Sequence, residues 1–234
     1  MITGGSGGIG SEISRKFIDE GYDVYSIDLQ TIELGAHFHN ETVDVTDIEQ
    51  LLEIKKRLDG IRFDHIITLA GRALEGEWVD FPYISVDVIG KSINLNITGH
   101  LNIINIFYDT LSDNFNRSFV TISSINAFGG FGLPVYSSAK AGLIGFTKAV
   151  YSQMAQDGIR INTVCPGTVV TEATKLEPKD FELLLKFTNS GRFVTAKEVA
   201  YAVYSLCEIK TDCNGEILIL DEGQLENSHA KCAQ

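Results

Sequence analysis

The sequence predicts an α/β protein: one domain over residues 1–234, built as a doubly wound parallel sheet of about seven strands with helices on both faces. Three observations carry that expectation. Strand-like and helix-like segments alternate along the chain. A glycine-rich loop, Thr3-Gly-Gly-Ser-Gly-Gly-Ile-Gly10, opens it and runs into an amphipathic stretch. Glycine-bearing or polar residues then close one predicted strand after another, on the edge where open α/β sheets bind ligands. With 234 residues, 44% of them hydrophobic, the chain can bury a sizeable core.

The first helix carries Ile13, Phe17 and Ile18 on one face and ends near Gly21. Tyr22 to Asp28 alternates as a strand, and Glu41 to Val45 reads as the next. A helix follows with Ile48, Leu51, Leu52 and Ile54. Phe63 to Leu69 is an apolar strand ending at Ala70-Gly71. A long helix is expected from Asp87 to Leu111, striped by Ile93, Ile97, Leu101, Ile104 and Phe107. Arg117 to Ser124 forms a strand that enters a serine pair. Pro134 then opens a helix bearing Tyr136 and Lys140, and Ile159 to Cys165 is a further strand. Residues 172–195 read as an acidic, Leu- and Phe-bearing excursion that covers the substrate. A helix near 197–207, a last strand from Glu216 to Leu220 and a polar tail over 224–234 complete the chain. The tail is expected to be loose or packed on a partner subunit.

A loop short of side chains at a helix N-terminus presents free N–H groups and the positive end of the helix dipole, which suits a pyrophosphate. Two registers fit: Gly5, Gly7 and Gly10 satisfy G-x-G-x-x-G, while Thr3, Gly4, Gly8 and Gly10 satisfy T-G-x-x-x-G-x-G. No Gly-Lys-Ser/Thr follows, so this is not a P-loop. Asp28 stands 18 residues beyond Gly10, at a predicted strand end. An acid there accepts hydrogen bonds from the adenosine ribose and repels a 2′-phosphate. No Arg or Lys occurs in the glycine loop or in Leu29, Gln30 and Thr31, which predicts NAD(H) over NADP(H). The bland alternative is a strand-end Asp that makes a turn.

Tyr136 and Lys140 share a helix face at i, i+4. An isolated tyrosine has a pKa of about 10. A cation at roughly 4 Å contributes about 4 kcal/mol at an effective dielectric near 20, enough to bring the phenol toward neutrality. The same pair also occurs on ordinary solvated helix faces. The serines at Ser123 and Ser124 favour the catalytic reading.

The balance of 19 basic and 31 acidic residues, a formal charge of -12, disfavours nucleic acid and anionic membranes as partners. Nothing reads as a signal peptide or an 18-residue apolar span, so a soluble, cytoplasmic protein is expected. Cys165, Cys207, Cys213 and Cys232 form no C-x-x-C, and the five histidines, His37 and His39 among them, form no ligand pattern. No metal site is predicted.

In order along nearly the whole chain, the glycine loop, Asp28, Asp44-Val45, Ala70-Gly71, Asn96-Ile-Thr-Gly99, Ser124, Tyr136/Lys140 and Pro166-Gly-Thr-Val-Val-Thr171 resemble the motifs of the short-chain dehydrogenases/reductases. The resemblance implies a Rossmann-like fold and an oxidoreductase that moves a hydride between NAD(H) and a secondary alcohol or ketone. Tyr136 would be the general acid/base, Lys140 would hold the nicotinamide ribose and depress the tyrosine pKa, and Ser124 would bond the reacting oxygen, with Ser123 as fallback. Asn96 would hold a water linking Lys140 to solvent. Gly4, Ser6, Gly8, Ile9, Gly10, Ala70 and Gly71 would border the dinucleotide, and Asp44 and Val45 would flank the adenine. Pro166, Gly167, Val169 and Thr171 would line the nicotinamide.

Three departures from the family pattern stand out. Only Met1-Ile2 precede the glycine loop, which weakens the expected central strand. Thr68-Leu69-Ala70-Gly71 replaces Asn-Asn-Ala-Gly, so a bracing polar contact is expected to be absent. Asp221-Glu-Gly223 replaces Asp-Gly-Gly. Similar proteins pair through the long helix and the Tyr/Lys helix, which implies a homodimer or homotetramer. The substrate pocket is expected to draw on Phe128, Phe131, Leu133 and Phe181, with Lys175, Lys179 and Lys186 leaving an anionic carrier open. A catalytically weak dinucleotide-binding sensor or scaffold is the alternative from another class. A nucleotide-sugar epimerase or dehydratase is disfavoured because the chain is short.

Overall fold

The computed structural model describes residues 1–129, 132–171, 178–208 and 213–231. Its strands are β1 (Ile2–Thr3), β2 (Val24–Asp28), β3 (Phe38–Thr42), β4 (His65–Thr68), β5 (Ser118–Ile122), β6 (Arg160–Pro166) and β7 (Ile217–Leu220). They form one parallel sheet in the order β3-β2-β1-β4-β5-β6-β7, the predicted Rossmann-like arrangement. Strand order reverses between β1 and β4, which opens the crevice at their carboxyl ends. β5 is buried at every position, as a parallel strand covered on both faces must be.

Helices cover both faces: α1 (Gly8–Asp19), α2 (Ile48–Arg57), α3 (Val86–Ile93), α4 (Gly99–Ile106), α5 (Pro134–Gln156), α6 (Pro178–Leu185), α7 (Ala196–Glu208) and α8 (Gln224–Lys231). On one face Ile13 and Phe17 of α1 join Val199 and Val203 of α7 in a single cluster with Ile67, Val120 and Val164 from the sheet. On the other, Leu51 and Ile54 of α2, Ile103 and Ile104 of α4 and Met154 of α5 close over Ile27, Ile66 and Phe119. Each such side chain contributes about 1.5–3 kcal/mol on burial. Leu52 and Ile48, expected on the same apolar face as Leu51, are instead exposed.

β1 is short yet central. Ile2 pairs with Ser26 and Ile67, Thr3 pairs with Ile27 and Thr68, and Ile2 is buried. The third strand begins three residues earlier than expected because β2 pairs with Phe38–Thr42 residue for residue, which leaves Asp44 and Val45 beyond its end. The long helix is interrupted: Asn94–Thr98 forms a π-helical turn between α3 and α4, where Asn94, Asn96 and Thr98 are weak helix formers. Part of its apolar stripe is internal, since Ile104 and Phe107 lie in the core, so the pairing surface expected there is narrower.

The described part of the polar tail, Gln224–Lys231, is helical rather than loose. Asp221 accepts from Gly223 N and Leu225 N at 3.0 and 2.8 Å, which starts α8. Gln224 is buried, accepting from Thr168 N at 2.7 Å and donating to Thr168 Oγ1 at 3.1 Å. Replacing the family's glycine with Glu222 puts a side chain at φ 53, a left-handed position. Arg192 holds that residue through a 2.6 Å ion pair. Phe131, Lys175 and the start of the 172–195 excursion lie outside the described residues. Among the described residues no helix is long and apolar enough to cross a membrane.

Candidate active site

The nucleotide half of the crevice is made largely of backbone. Gly7 caps α1 without a side-chain bond, leaving first-turn amides for a ligand. Gly4 has φ +72, and a Cβ at Gly10 would lie 1.9 Å from Gly4 O, so neither position admits another residue without moving the loop. Gly4, Gly8, Ile9 and Gly10 border a cavity of about 730 Å³, together with Asp28, Asp44, Val45, Ala70, Gly71, Val169 and Thr171. Arg72, Leu74 and Lys91 also line it; no motif marked them in the sequence.

Asp28 does two things. Its Oδ2 accepts from Ser6 N at 3.0 Å and its Oδ1 from Gln30 N at 3.1 Å, so it locks the glycine loop and shapes a turn while bordering the cavity. Ser6 itself is buried, its hydroxyl 3.3 Å from Ser26 Oγ, so it anchors the loop from behind rather than facing the cavity. Thr3 Oγ1 accepts from Leu69 N and Ala70 N at 3.1 and 3.2 Å, tying the loop to the end of β4. The polar brace expected to be lost at Thr68 is present in another form: His100 Nδ1 lies 2.9 Å from Thr68 Oγ1. Burial, reinforced by the Lys140 charge, holds His100 well below the usual imidazole range, so it stays neutral, and among the described residues its Nε2 has no partner. An uncapped helix start, glycines with no room for a side chain and a strand-end carboxylate in one cavity fit a dinucleotide.

The other half is made of side chains, Lys140 and Asn96 buried and Ser124 and Tyr136 half-buried. Ser124 lies two residues beyond β5 and caps the turn Ile125–Phe128, its Oγ accepting from Asn126 N at 3.2 Å. Its hydroxyl donates to Asn126 Oδ1 at 3.2 Å and lies near enough to Tyr136, on the first turn of α5, to favour the ionised phenol, whereas Ser123 Oγ donates to Lys140 O at 2.8 Å. Ser124 therefore faces the phenol, and Ser123 braces the helix. Lys140 is 2% exposed, donates from Nζ to Ile122 O at 3.0 Å and lies 5.7 Å from the Tyr136 ring centroid. Asn96 sits in the π-turn; its Nδ2 donates to Arg72 O at 2.9 Å and Ser92 O at 3.1 Å. Among the described residues its buried Oδ1 has no partner. A Cβ at Gly71 would lie 2.6 Å from Asn96 Oδ1 and 3.4 Å from Lys140 Nζ, so glycine there lets both groups approach the same spot.

The expected acidification of Tyr136 is reversed in the protein alone. Burial pushes the phenol up to about 12; the Ser124 hydrogen bond opposes that rise, and the nearby Glu77 carboxylate adds to it. Burial also lowers Lys140 to about 7, so much of the positive charge that was to acidify the phenol is absent near neutral pH. Spacing suggests a Coulomb attraction to Lys140, but burial, invisible in the spacing, is the largest influence on the phenol, and no Lys140 attraction enters beside it.

Glu77, which no sequence pattern marked, is buried in this centre at 1% exposure. Pro166 and Gly167 stand at the end of β6 outside the cavity wall, and a Cβ on Gly167 would meet Gln224 Oε1 at 2.5 Å. The α8 helix thus supports the segment leading to Val169 and Thr171. Phe128 and Phe181 are 38% and 37% exposed, Leu133 is half-buried, and none of the three borders the cavity. Among the described residues no group of three His, Cys, Asp or Glu could hold a metal ion.

A family model described as short chain dehydrogenase matches residues 1–181. The chain is 32% identical to the acetoacetyl-CoA reductase of Shinella zoogloeoides, over 88% of this chain and 89% of that protein. A short-chain dehydrogenase from Leptospira borgpetersenii serovar Hardjo-bovis, solved with bound NAD+, superposes with a TM-score of 0.86 at 23% identity, covering 96% of this chain and 91% of that one. ElxO solved with NADP bound gives a TM-score of 0.86 at 27% identity, covering 96% and 97%.

Proposed function

Because the chain belongs to the short-chain dehydrogenase family of oxidoreductases, we propose that it interconverts a secondary alcohol and a ketone with NAD(H) as cofactor. The observation that carries this reading is the cluster at the crevice: a half-buried Tyr136 phenol beside Ser124, with the buried Lys140 5.7 Å from its ring centroid and the Asn96 turn close by. The nicotinamide, when bound, supplies or accepts the hydride.

The protein's own part is orientation and proton transfer. In ketone reduction Tyr136 donates its proton to the oxygen as that atom gains charge. Burial keeps this phenol protonated at neutral pH, which is the form reduction needs. Ser124 donates a second hydrogen bond to the same oxygen, a preorganised dipole at developing alkoxide charge. Lys140, at about 7, can carry or release a proton close to neutrality and would hold the ribose. Asn96 Oδ1 faces the same gap beside Gly71 and would hold a water on that route. Gly4, Gly8, Ile9 and Gly10 would cradle the pyrophosphate, with Asp44 and Val45 at the adenine and Pro166, Gly167, Val169 and Thr171 at the nicotinamide.

NAD(H) over NADP(H) rests on Asp28. Its carboxylate borders the cavity, and Leu29, Gln30 and Thr31 offer no cation to a 2′-phosphate. A homodimer or homotetramer would use the half-buried Ile93, Ile97 and Leu101, which remain accessible along the long helix.

The test is a panel of alcohols and ketones followed by cofactor absorbance, run with NADH/NAD+ and with NADPH/NADP+. Turnover on at least one member, faster with NADH or NAD+, supports the reading. Cofactor binding with no turnover across the panel favours a dinucleotide sensor instead, and a preference for NADPH removes the role given to Asp28.

A further inference from the structure

The first-turn amides of a helix need acceptors that the residue before it ordinarily supplies. Before α5 that residue is Leu133, which has φ 52 and makes no side-chain cap. The acceptor comes from 59 residues upstream, where Tyr136 N donates to Glu77 Oε2 at 2.7 Å. The other oxygen of this carboxylate accepts from Leu74 N at 3.0 Å and from Ser92 Oγ at 2.7 Å. Ser92 in turn receives the Asn96 amide, 3.3 Å to its hydroxyl and 3.1 Å to its carbonyl. Glu77 is 1% exposed, and Ser92 and Asn96 are 0% exposed. One carboxylate therefore joins the turn that presents the phenol to the turn that presents Asn96.

Resting on the reading of Tyr136 as the proton-transfer group, we propose that Glu77 is a positioning residue of this centre, holding the first turn of α5 and the Asn96 turn in fixed register. A carboxylate suits the task because its partners on both oxygens are donors, two of them backbone N–H groups that cannot reverse. Glutamine cannot replace it. Its amide nitrogen must face either Tyr136 N–H or Leu74 N–H, so one donor is left opposite another donor. Aspartate is one methylene shorter and cannot span the three partners from the same backbone. The position also serves the helix dipole, since a negative charge is favourable at the N-terminus of α5.

Glu77 has an electrical consequence that a simple brace would lack. Its charge opposes ionisation of the phenol and adds to the rise of Tyr136. Removing the charge lowers the tyrosine pKa, so in alcohol oxidation, where the phenolate is the base, the acid limb of the pH profile moves to lower pH.

The experiment compares wild type, Glu77→Gln, Ser92→Ala and Tyr136→Phe on one alcohol/ketone pair from the panel, with NADH binding measured by fluorescence titration. For Glu77→Gln the expected result is a kcat lower by about 10-fold, as a small misplacement of a reacting group produces. NADH affinity stays within about 2-fold of wild type, and the acid limb shifts downward by about half a unit or more. Ser92→Ala keeps the charge and nearly the volume but cuts the link to Asn96; it lowers kcat by about 3-fold with an unmoved pH profile. Wild-type kcat and an unmoved profile in Glu77→Gln overturn the proposal, as does wild-type kcat in Ser92→Ala should Glu77→Gln not fold. Full turnover in Tyr136→Phe would instead overturn the proton-transfer reading beneath it. A dead Tyr136→Phe beside an unaffected Glu77→Gln removes Glu77 alone.

Discussion

Around the glycine loop, the surface offered to a ligand is mostly backbone, shaped by residues close together in the chain: Gly4 against Gly10, and Asp28 bonded to Ser6. Around Tyr136 it is side chains, buried or half-buried, drawn from the segment after β5, the π-turn, α5 and the loop that carries Glu77. In the first region the tolerances are steric, set by whether a Cβ fits. In the second they are electrostatic, set by how far burial moves each proton. The lesson is that the same crevice obeys two sets of rules, and substitutions should fail differently on its two sides.

Lys140→Met separates the regions most sharply. Burial holds Lys140 at about 7 against an ordinary 10.5, so between those values the unfolded chain binds a proton that the folded chain does not. The resulting cost to stability is full below pH 7 and disappears as pH rises through 10.5. Lys140→Met should therefore raise unfolding free energy at pH 7 by about 2–4 kcal/mol in urea, after allowance for the lost bond to Ile122 O. The gap over wild type should close as pH rises, and turnover should fall by about 100-fold or more. A variant less stable than wild type at pH 7 would break the electrostatic half of the comparison.

Gly10→Ala probes the steric half. A Cβ placed 1.9 Å from Gly4 O has to displace backbone, so the loop should move, stability should fall by about 1–3 kcal/mol and NADH affinity should weaken. Urea melts and NADH titration check it, and wild-type values in both would show that the loop is not tightly set. A smaller effect is expected from Asp28→Asn, which removes the charge and turns an amide N–H toward either Ser6 N or Gln30 N. The ratio of kcat/KM for NADH over NADPH should fall by about 10-fold, or 1.4 kcal/mol. An unchanged ratio would leave Asp28 as the anchor of Ser6 and nothing more.

These differences also explain what could be read from the letters. The glycine loop, Asp28 and the Tyr136/Lys140 pair were legible because each depends on short, fixed spacings. Strand order followed from the same regularities. Glu77 was not legible, because its meaning lies in a bond to a residue 59 positions away. His100 replaces the expected brace at Thr68 from 32 positions away, which no local pattern announces. The direction of the Tyr136 shift was misjudged for a related reason: i, i+4 spacing gives distance but not burial. The tail helix was hidden because its anchoring contact, Gln224 on Thr168, lies on a polar residue in a polar segment.

The central claim is that the Tyr136 hydroxyl moves the proton while the rest of the crevice binds cofactor. Tyr136→Phe removes that oxygen alone, and the measurement is turnover beside NADH affinity on the same preparation. The account predicts a kcat lower by about 1,000-fold with NADH affinity within about 2-fold of wild type. Substantial turnover in the phenylalanine variant, at undiminished cofactor binding, would contradict it.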